Sequence, residues 1–470
     1  MQGSFIKNIS SQTIQQLINQ LFGLLIFYIL SIQFNKESFG QLQWCLAVLL
    51  TIFNLLSCGM DHVIIKKAAD GYPINALFSM YLFHVLFTGS IFYLLLVTGY
   101  FILPDSNIKY LLLLFIGVGK LLIFFSTPFK QISGGLEKFK PLAYMSVASN
   151  ITRAIALMVA AILHKISINT VIIIFIFGDF AELMLSIFLY SRILKQSIKL
   201  NFYLKEYFEL IKESIPQIGV VFFTSSLARF DWVLMGLIIS SEKLAEYSFA
   251  YKAFEISSLP LIIIAPLLLP KFTRLFKQEK LTEDIYSIVK LEMTIVFGTI
   301  LILNISWVPI VDYITNGKYG SNNSATIFLL SLSLPFLYLT NFLWSILFAH
   351  GKLKTIFSII AITFLINIIA DIISIPILKK EGAALAYLVA VIAQFILYLF
   401  KTPVTIVPIL KNFFFSAACA LIAGLLFYYL NHQFFVIAIL GTGVCFFALQ
   451  VVIKQLSFSN MKTLNNFMNS

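Results

Sequence analysis

Arg229 and Asp231 stand in "SSLARFDWVLMGLIIS", residues 225 to 240, with apolar residues on both sides and Trp232 beside them. A charge at the centre of a bilayer-spanning helix costs on the order of 3 kcal/mol even on lenient insertion scales, so it faces a protein interior or a watery cavity. Three further cations sit in apolar surroundings in the same way: Lys120, Arg153 and Lys252. A guanidinium presents a planar fork of donors that matches phosphate bidentately, and an ammonium supplies a compact positive charge. The chemistry these four residues suit is noncovalent, either binding of an anion in a cavity or pairing with acids between helices.

Acids are buried in the same segments, at Asp179, Glu182, Asp231, Glu255 and Asp371. Two readings therefore stay open for each cation, ligand contact or counter-ion between helices. Lys252 and Glu255 are three apart and suit a local pair. Arg229 and Asp231 are two apart, point to nearly opposite sides of a helix, and need separate partners. Asp179 and Glu182, one turn apart, suit either structural pairing or transient binding of a proton or sodium ion. His84 suits a packing role or a proton carrier. Polar residues fall in stripes around the cations: Gln12, Gln16 and Asn19 on one helix, Ser146, Ser149, Asn150 and Arg153 on another, Ser225, Ser226 and Arg229 on a third, and Ser248, Lys252 and Glu255 on a fourth. Helices facing a wet cavity have this pattern. No catalytic group, metal site or cofactor is expected. The chain contains no CxxC pair, no GxxxxGK[ST] and no HExxH.

The elements that must position these residues follow from composition. With 60% hydrophobic residues, 11% charged residues and 48 Phe, the chain cannot hide its apolar surface in one water-soluble core. Apolar segments near 11–34, 42–62, 76–98, 109–130, 141–163, 169–190, 214–239, 247–270, 287–311, 324–348, 355–376, 383–400, 411–430 and 434–453 predict an all-α polytopic membrane protein of about 14 transmembrane helices. The net charge of +12 is then a topology signal rather than a nucleic-acid footprint. A cytoplasmic N-terminus puts the larger share of the Lys and Arg on the inner side, which predicts that both termini are cytoplasmic. The first apolar segment reads as a retained helix rather than a cleaved signal. The longest connection, at 191–214, is only about two dozen residues, and its Leu204, Phe208 and Ile211 share one side, which suits a helix on the inner leaflet. Cys45, Cys58, Cys419 and Cys445 lie in apolar segments and read as packing residues.

A weak internal repeat pairs "SFGQLQWCLAV" at 38–48 with "LAEYSFAYKAF" at 244–254, and "GGLEKFKPLAY" at 134–144 with "HGKLKTIFSII" at 350–360. Two six-helix lobes related by a pseudo-repeat, plus a C-terminal helix pair, would produce it. The expected division is 1–190 for the first lobe, 191–213 for an amphipathic linker, 214–400 for the second lobe, and 401–470 for the last pair and tail.

"LARFDWVLMGLIISSEKLAEYSFAYKAFE" at 227–255, the "GGLEKFK" loop and "NIIADIISIPILKKEGAALAYLVA" at 367–390 resemble the polysaccharide and O-antigen flippases (Wzx type) of the MOP superfamily, which also holds the MATE exporters and lipid II flippases. The resemblance runs over essentially the whole chain in length, helix count and loop placement. It implies a bacterial inner-membrane protein whose two lobes enclose a central cavity open alternately to either side. Its substrate would be a polyprenyl-diphosphate-linked oligosaccharide for O-antigen, capsule or exopolysaccharide, and its partners the bilayer, a polymerase and a chain-length regulator, with H+ or Na+ as coupling ion. Such a substrate needs a cationic, hydrogen-bonding route with a lateral opening for its lipid tail. A MATE-like exporter of cationic drugs is the alternative, and it would want a mainly acidic cavity. A membrane polymerase or glycosyltransferase is disfavoured, because the outer loops are short and hold no clustered carboxylates.

Overall fold

The structure is a computed structural model that describes residues 2–102, 108–195, 198, 201, 203–261, 283–402, 404–428 and 435–456; the side chains of 2–13, 224, 226–228, 283–285, 427, 428 and 435 lie outside that description. Among the described residues there are fifteen α-helices and no strand, and ten segments are long and apolar enough to cross a membrane. The all-α, multi-span reading stands. The chain divides into two compact units, Met1–Ala245 and Glu246–Ser470.

The first unit holds α1 (Gln2–Gln33), α2 (Lys36–Leu56), α3 (Met60–Ala69), α4 (Ile74–Ile102), α5 (Ile108–Gly135), α6 (Phe139–Ile162), α7 (Ile168–Phe188) and α8 (Leu204–Ile238), and α9 (Ser241–Ser257) begins in it. The elements start where local chemistry favours it. Asn35 caps α2 by accepting from the Ser38 amide at 2.8 Å, and Ser167 caps α7 by accepting from the Thr170 amide at 3.2 Å. Gly59 takes a positive φ of 70° to turn α2 into α3, and a side chain there would run into Gln217 of α8. α5 packs on α2, α3, α4 and α7, while α6 packs on α1 and α7. Helices α5, α6 and α7 are thus mutual neighbours, and this is what assembles the site described below.

One sequence expectation is revised here. Spacing predicts an amphipathic linker over 191–213, yet from Leu204 onward the chain is continuous with the following span in a single helix of 35 residues. Its Tyr207 and Leu210 are buried against the unit, while Leu204 and Phe208 are exposed. Leu204 and Phe208 of the apolar stripe read from spacing are thus exposed on this helix rather than packed.

The second unit holds α10 (Glu283–Thr315), α11 (Ser324–Ser331), α12 (Leu334–Ala349), α13 (Leu353–Lys401), α14 (Ile406–Tyr428) and α15 (Phe435–Val452). The span read as 324–348 is broken between α11 and α12, with Pro335 at the start of α12 and no helical hydrogen bond for it to lose. α13 is two helices joined at Lys379, where φ is 55° and ψ −125°. The chain reverses there: the Ser374 hydroxyl donates to the Gly382 carbonyl at 2.9 Å, and a Cβ on Gly382 would lie 2.2 Å from the Ser374 carbonyl oxygen. This matches the two spans read at 355–376 and 383–400. α10 packs on α11, α12, α14 and α15, and α12 on α13.

Candidate functional site: a buried cationic cluster in the first unit

Small residues open the space for charge. Gly178 on α7 faces α6 so closely that a Cβ there would lie 2.6 Å from Arg153 Cγ, and a Cβ on Gly119 of α5 would lie 2.4 Å from Asp179 Oδ2. With hydrogen at both positions, α5, α6 and α7 approach closely enough for Arg153 and Asp179 to meet. The Arg153 guanidinium donates to Asp179 Oδ1, and the two residues are 5% and 0% exposed. The guanidinium carbon also lies 4.5 Å from the centroid of the Phe175 ring, a cation–π contact.

A second pair lies one turn along α7. Lys130 of α5 donates to Glu182 Oε1 at 2.7 Å, Ser126 donates to the same oxygen at 3.4 Å, and Ser149 of α6 donates to Oε2. Both carboxylates are therefore held by cations, as buried carboxylates must be. The Arg153 Nε and Asp179 Oδ2 atoms are buried and make no hydrogen bond among the described residues.

Beside this network a cavity of about 200 Å³ is lined by Gln43, Lys120, Asn150, Arg153 and Phe175, with apolar residues of α1 and α2, Phe27 among them, completing it. Asn150 donates to Asn19 Oδ1 of α1 at 3.1 Å. Lys120 makes no hydrogen bond or ion pair among the described residues. In this cluster three cations, Lys120, Lys130 and Arg153, meet two carboxylates, Asp179 and Glu182. The surplus charge is that of Lys120, and it borders the cavity. Such a site can hold an anion through the Lys120 ammonium, with the Arg153 charge nearby and carboxamides of Gln43 and Asn150 as neutral hydrogen-bonding groups.

The remaining candidates lie elsewhere. Arg229 on α8 has its guanidinium 4.4 Å from the Trp232 ring centroid, and Asp231, 4% exposed, accepts from the Trp232 amide at 2.8 Å. Ser225 accepts from Asn54 of α2 at 3.1 Å. Gln16 is exposed, and the side chains of Gln12 and Ser226 lie outside the described residues. His84 is held at both nitrogens, by Tyr207 Oη at 3.0 Å and the Leu56 carbonyl at 2.8 Å, contacts that tie α4 to α8 and α2. In the second unit Lys252 donates to Glu255 at 2.9 Å. Asn367 donates to Asp371, one turn along α13.

Three groups escaped sequence reasoning. Gln43 reads as an ordinary polar residue of the second span. Lys380, read as part of a short outer loop, is 5% exposed and donates to Glu246 Oε2 at 2.7 Å and Asn323 Oδ1 at 3.0 Å. Glu292 was visible as a lone acid in "KLEMTIVFGTI" and is 1% exposed.

The family described as polysaccharide biosynthesis protein matches residues 5–276. Among solved structures, a lipid II flippase MurJ in an inward closed conformation superposes with a TM-score of 0.75 at 17% identity, covering 94% of this chain and 98% of its own. An inward-facing multidrug resistance MATE family transporter of the MOP superfamily superposes with a TM-score of 0.66 at 12% identity, covering 81% of this chain and 93% of its own. A MOP superfamily transporter from Pyrococcus furiosus, described as having a binding pocket of reverse polarity, gives 0.57 at 13% identity over 87% of this chain and 94% of its own. These likenesses show the fold. A comparison with curated protein sequences gives no match.

Proposed function

Because this chain belongs to the polysaccharide biosynthesis protein family, we propose that it is a flippase for a polyprenyl-diphosphate-linked oligosaccharide, working by alternating access in the bacterial inner membrane with both termini cytoplasmic. Movement is from the cytoplasmic to the periplasmic leaflet, for O-antigen, capsule or exopolysaccharide synthesis. The observation that carries this reading is the cavity of the first unit, where Lys120 makes no ion pair among the described residues and sits beside Arg153, Asn150 and Gln43. A diphosphate needs cations that are not already neutralised, and a glycan needs neutral donors and acceptors. In this reading Asp179 and Glu182 are positioning residues, since they fix Arg153 and Lys130 and leave Lys120 for the substrate. A cationic drug would be repelled by the same cavity, so the site supports the glycan-lipid reading over the MATE-like one.

Deletion of the gene from its host tests the assignment. Lipid-linked repeat units are expected to accumulate on the cytoplasmic leaflet, with loss of surface polymer. Undiminished full-length surface polymer in a host with no second flippase would contradict the assignment.

A further inference from the structure

Glu292 on α10 of the second unit is 1% exposed, and neither carboxylate oxygen makes a hydrogen bond or ion pair among the described residues. Along its own helix it is surrounded by buried apolar residues: Ile288 and Val289 one turn before, Val296 one turn after, and Met293 beside it. Every other buried carboxylate described above has a partner. An ionised carboxylate in such a place is opposed by a desolvation penalty that nothing nearby offsets, and a buried acid in that position neutralises instead.

The groups able to face Glu292 from the helices packed on α10 are few. α11 carries no titratable residue, and α12 carries only Tyr338, whose phenol lies within electrostatic reach of the carboxyl. α14 carries Lys411, which is exposed with its ammonium 5.6 Å from the Phe415 ring, Cys419 and, as its last residue, Tyr428; α15 carries Cys445. On α10 itself Lys290 is two residues away, on another side of the helix. No cation of these elements is placed to pair with Glu292. Polar atoms ready to accept water do flank α10: Tyr338 Oη on α12, and Thr442 Oγ1 and Gln450 Nε2 on α15, are buried without a hydrogen-bond partner among the described residues.

We propose that Glu292 is a proton-binding site of the second unit, neutral in the described state, and that the transport cycle releases and rebinds its proton. When the seams of α10 with α12 and α15 admit water, the O–H bond of the carboxyl breaks, the proton passes to water and a carboxylate remains. Closure of the seams requires the carboxylate to take a proton back. A carboxyl without hydrogen bonds gives less packing benefit than an apolar side chain of the same size, so its presence is explained by this exchange rather than by stability. The proposal does not depend on which lipid-linked substrate is carried.

Infrared difference spectroscopy of the purified full chain in lipid tests it, with thermal stability and polymer export in a deletion host measured alongside. A protonated-carboxyl C=O band is expected in the wild type and absent from Glu292→Gln. Glu292→Met is expected to fold to normal membrane levels while export falls at least tenfold and loses its dependence on pH. If no such band exists in the wild type, Glu292 is ionised and the proposal fails. It fails equally if sodium stabilises the wild type but not Glu292→Gln, which would make the site a metal-cation site. Full, pH-dependent export by Glu292→Met would also overturn it, as would failure of the Met variant to fold, since the carboxyl would then be structural.

Discussion

Arg153 has two duties that a single substitution separates badly. It neutralises Asp179, which is wholly buried, and its side chain also lines the cavity. Arg153→Ala leaves a buried carboxylate without its cation, at a cost of about 3–5 kcal/mol, so the protein's abundance in the membrane should fall sharply. Arg153→Ala combined with Asp179→Asn removes both charges, and abundance on immunoblots of membranes should recover while export stays low. Recovery of export together with abundance would make Arg153 a counter-ion only. At this scale much was legible. Arg153, Asp179 and Glu182 stand out as charges in apolar runs, and the spacing of three between the two acids puts them on one face. Which cation meets which acid was not legible, because it depends on the rotation of three helices about their axes and on glycines that look unremarkable in a chain with 22 of them.

The helices reach this arrangement through a few local devices, and these differ in how they read from sequence. Caps at Asn35 and Ser167 use residue types that commonly start helices. The turn inside α13 is subtler. Two adjacent lysines look like solvated loop, yet the backbone at Lys379 sends Lys379 outward and Lys380 inward to Glu246 and Asn323. Spacing cannot reveal this, since a positive φ at one residue reverses which neighbour is buried. The Lys380→Ala variant should lose about 3–5 kcal/mol, because Glu246 is 4% exposed and loses its ammonium. Lys379→Ala, at an exposed position, should change stability by no more than about 0.5 kcal/mol. Thermal unfolding of the two purified variants checks the contrast, and equal losses would refute the assignment of inside and outside.

For the whole molecule, the apolar runs and the distribution of Lys and Arg were enough to read a polytopic all-α chain, because a bilayer demands long helices with internally satisfied backbones whatever the cargo. The cargo is harder to read, since in the proposed reading one surplus charge in one cavity separates an anion carrier from a cation exporter. That charge is Lys120, which contributes no ion pair among the described residues, so its removal should not unfold the protein. The most direct measurement is therefore the movement of lipid-linked oligosaccharide across the membrane by Lys120→Ala and Lys120→Arg, at matched protein levels in the deletion host. Loss of a charge-assisted contact worth about 1.5–3 kcal/mol predicts a drop of roughly 10- to 100-fold for Lys120→Ala, with substantial retention in Lys120→Arg. Wild-type flipping by an abundant Lys120→Ala protein would contradict the assignment of this cavity to the diphosphate.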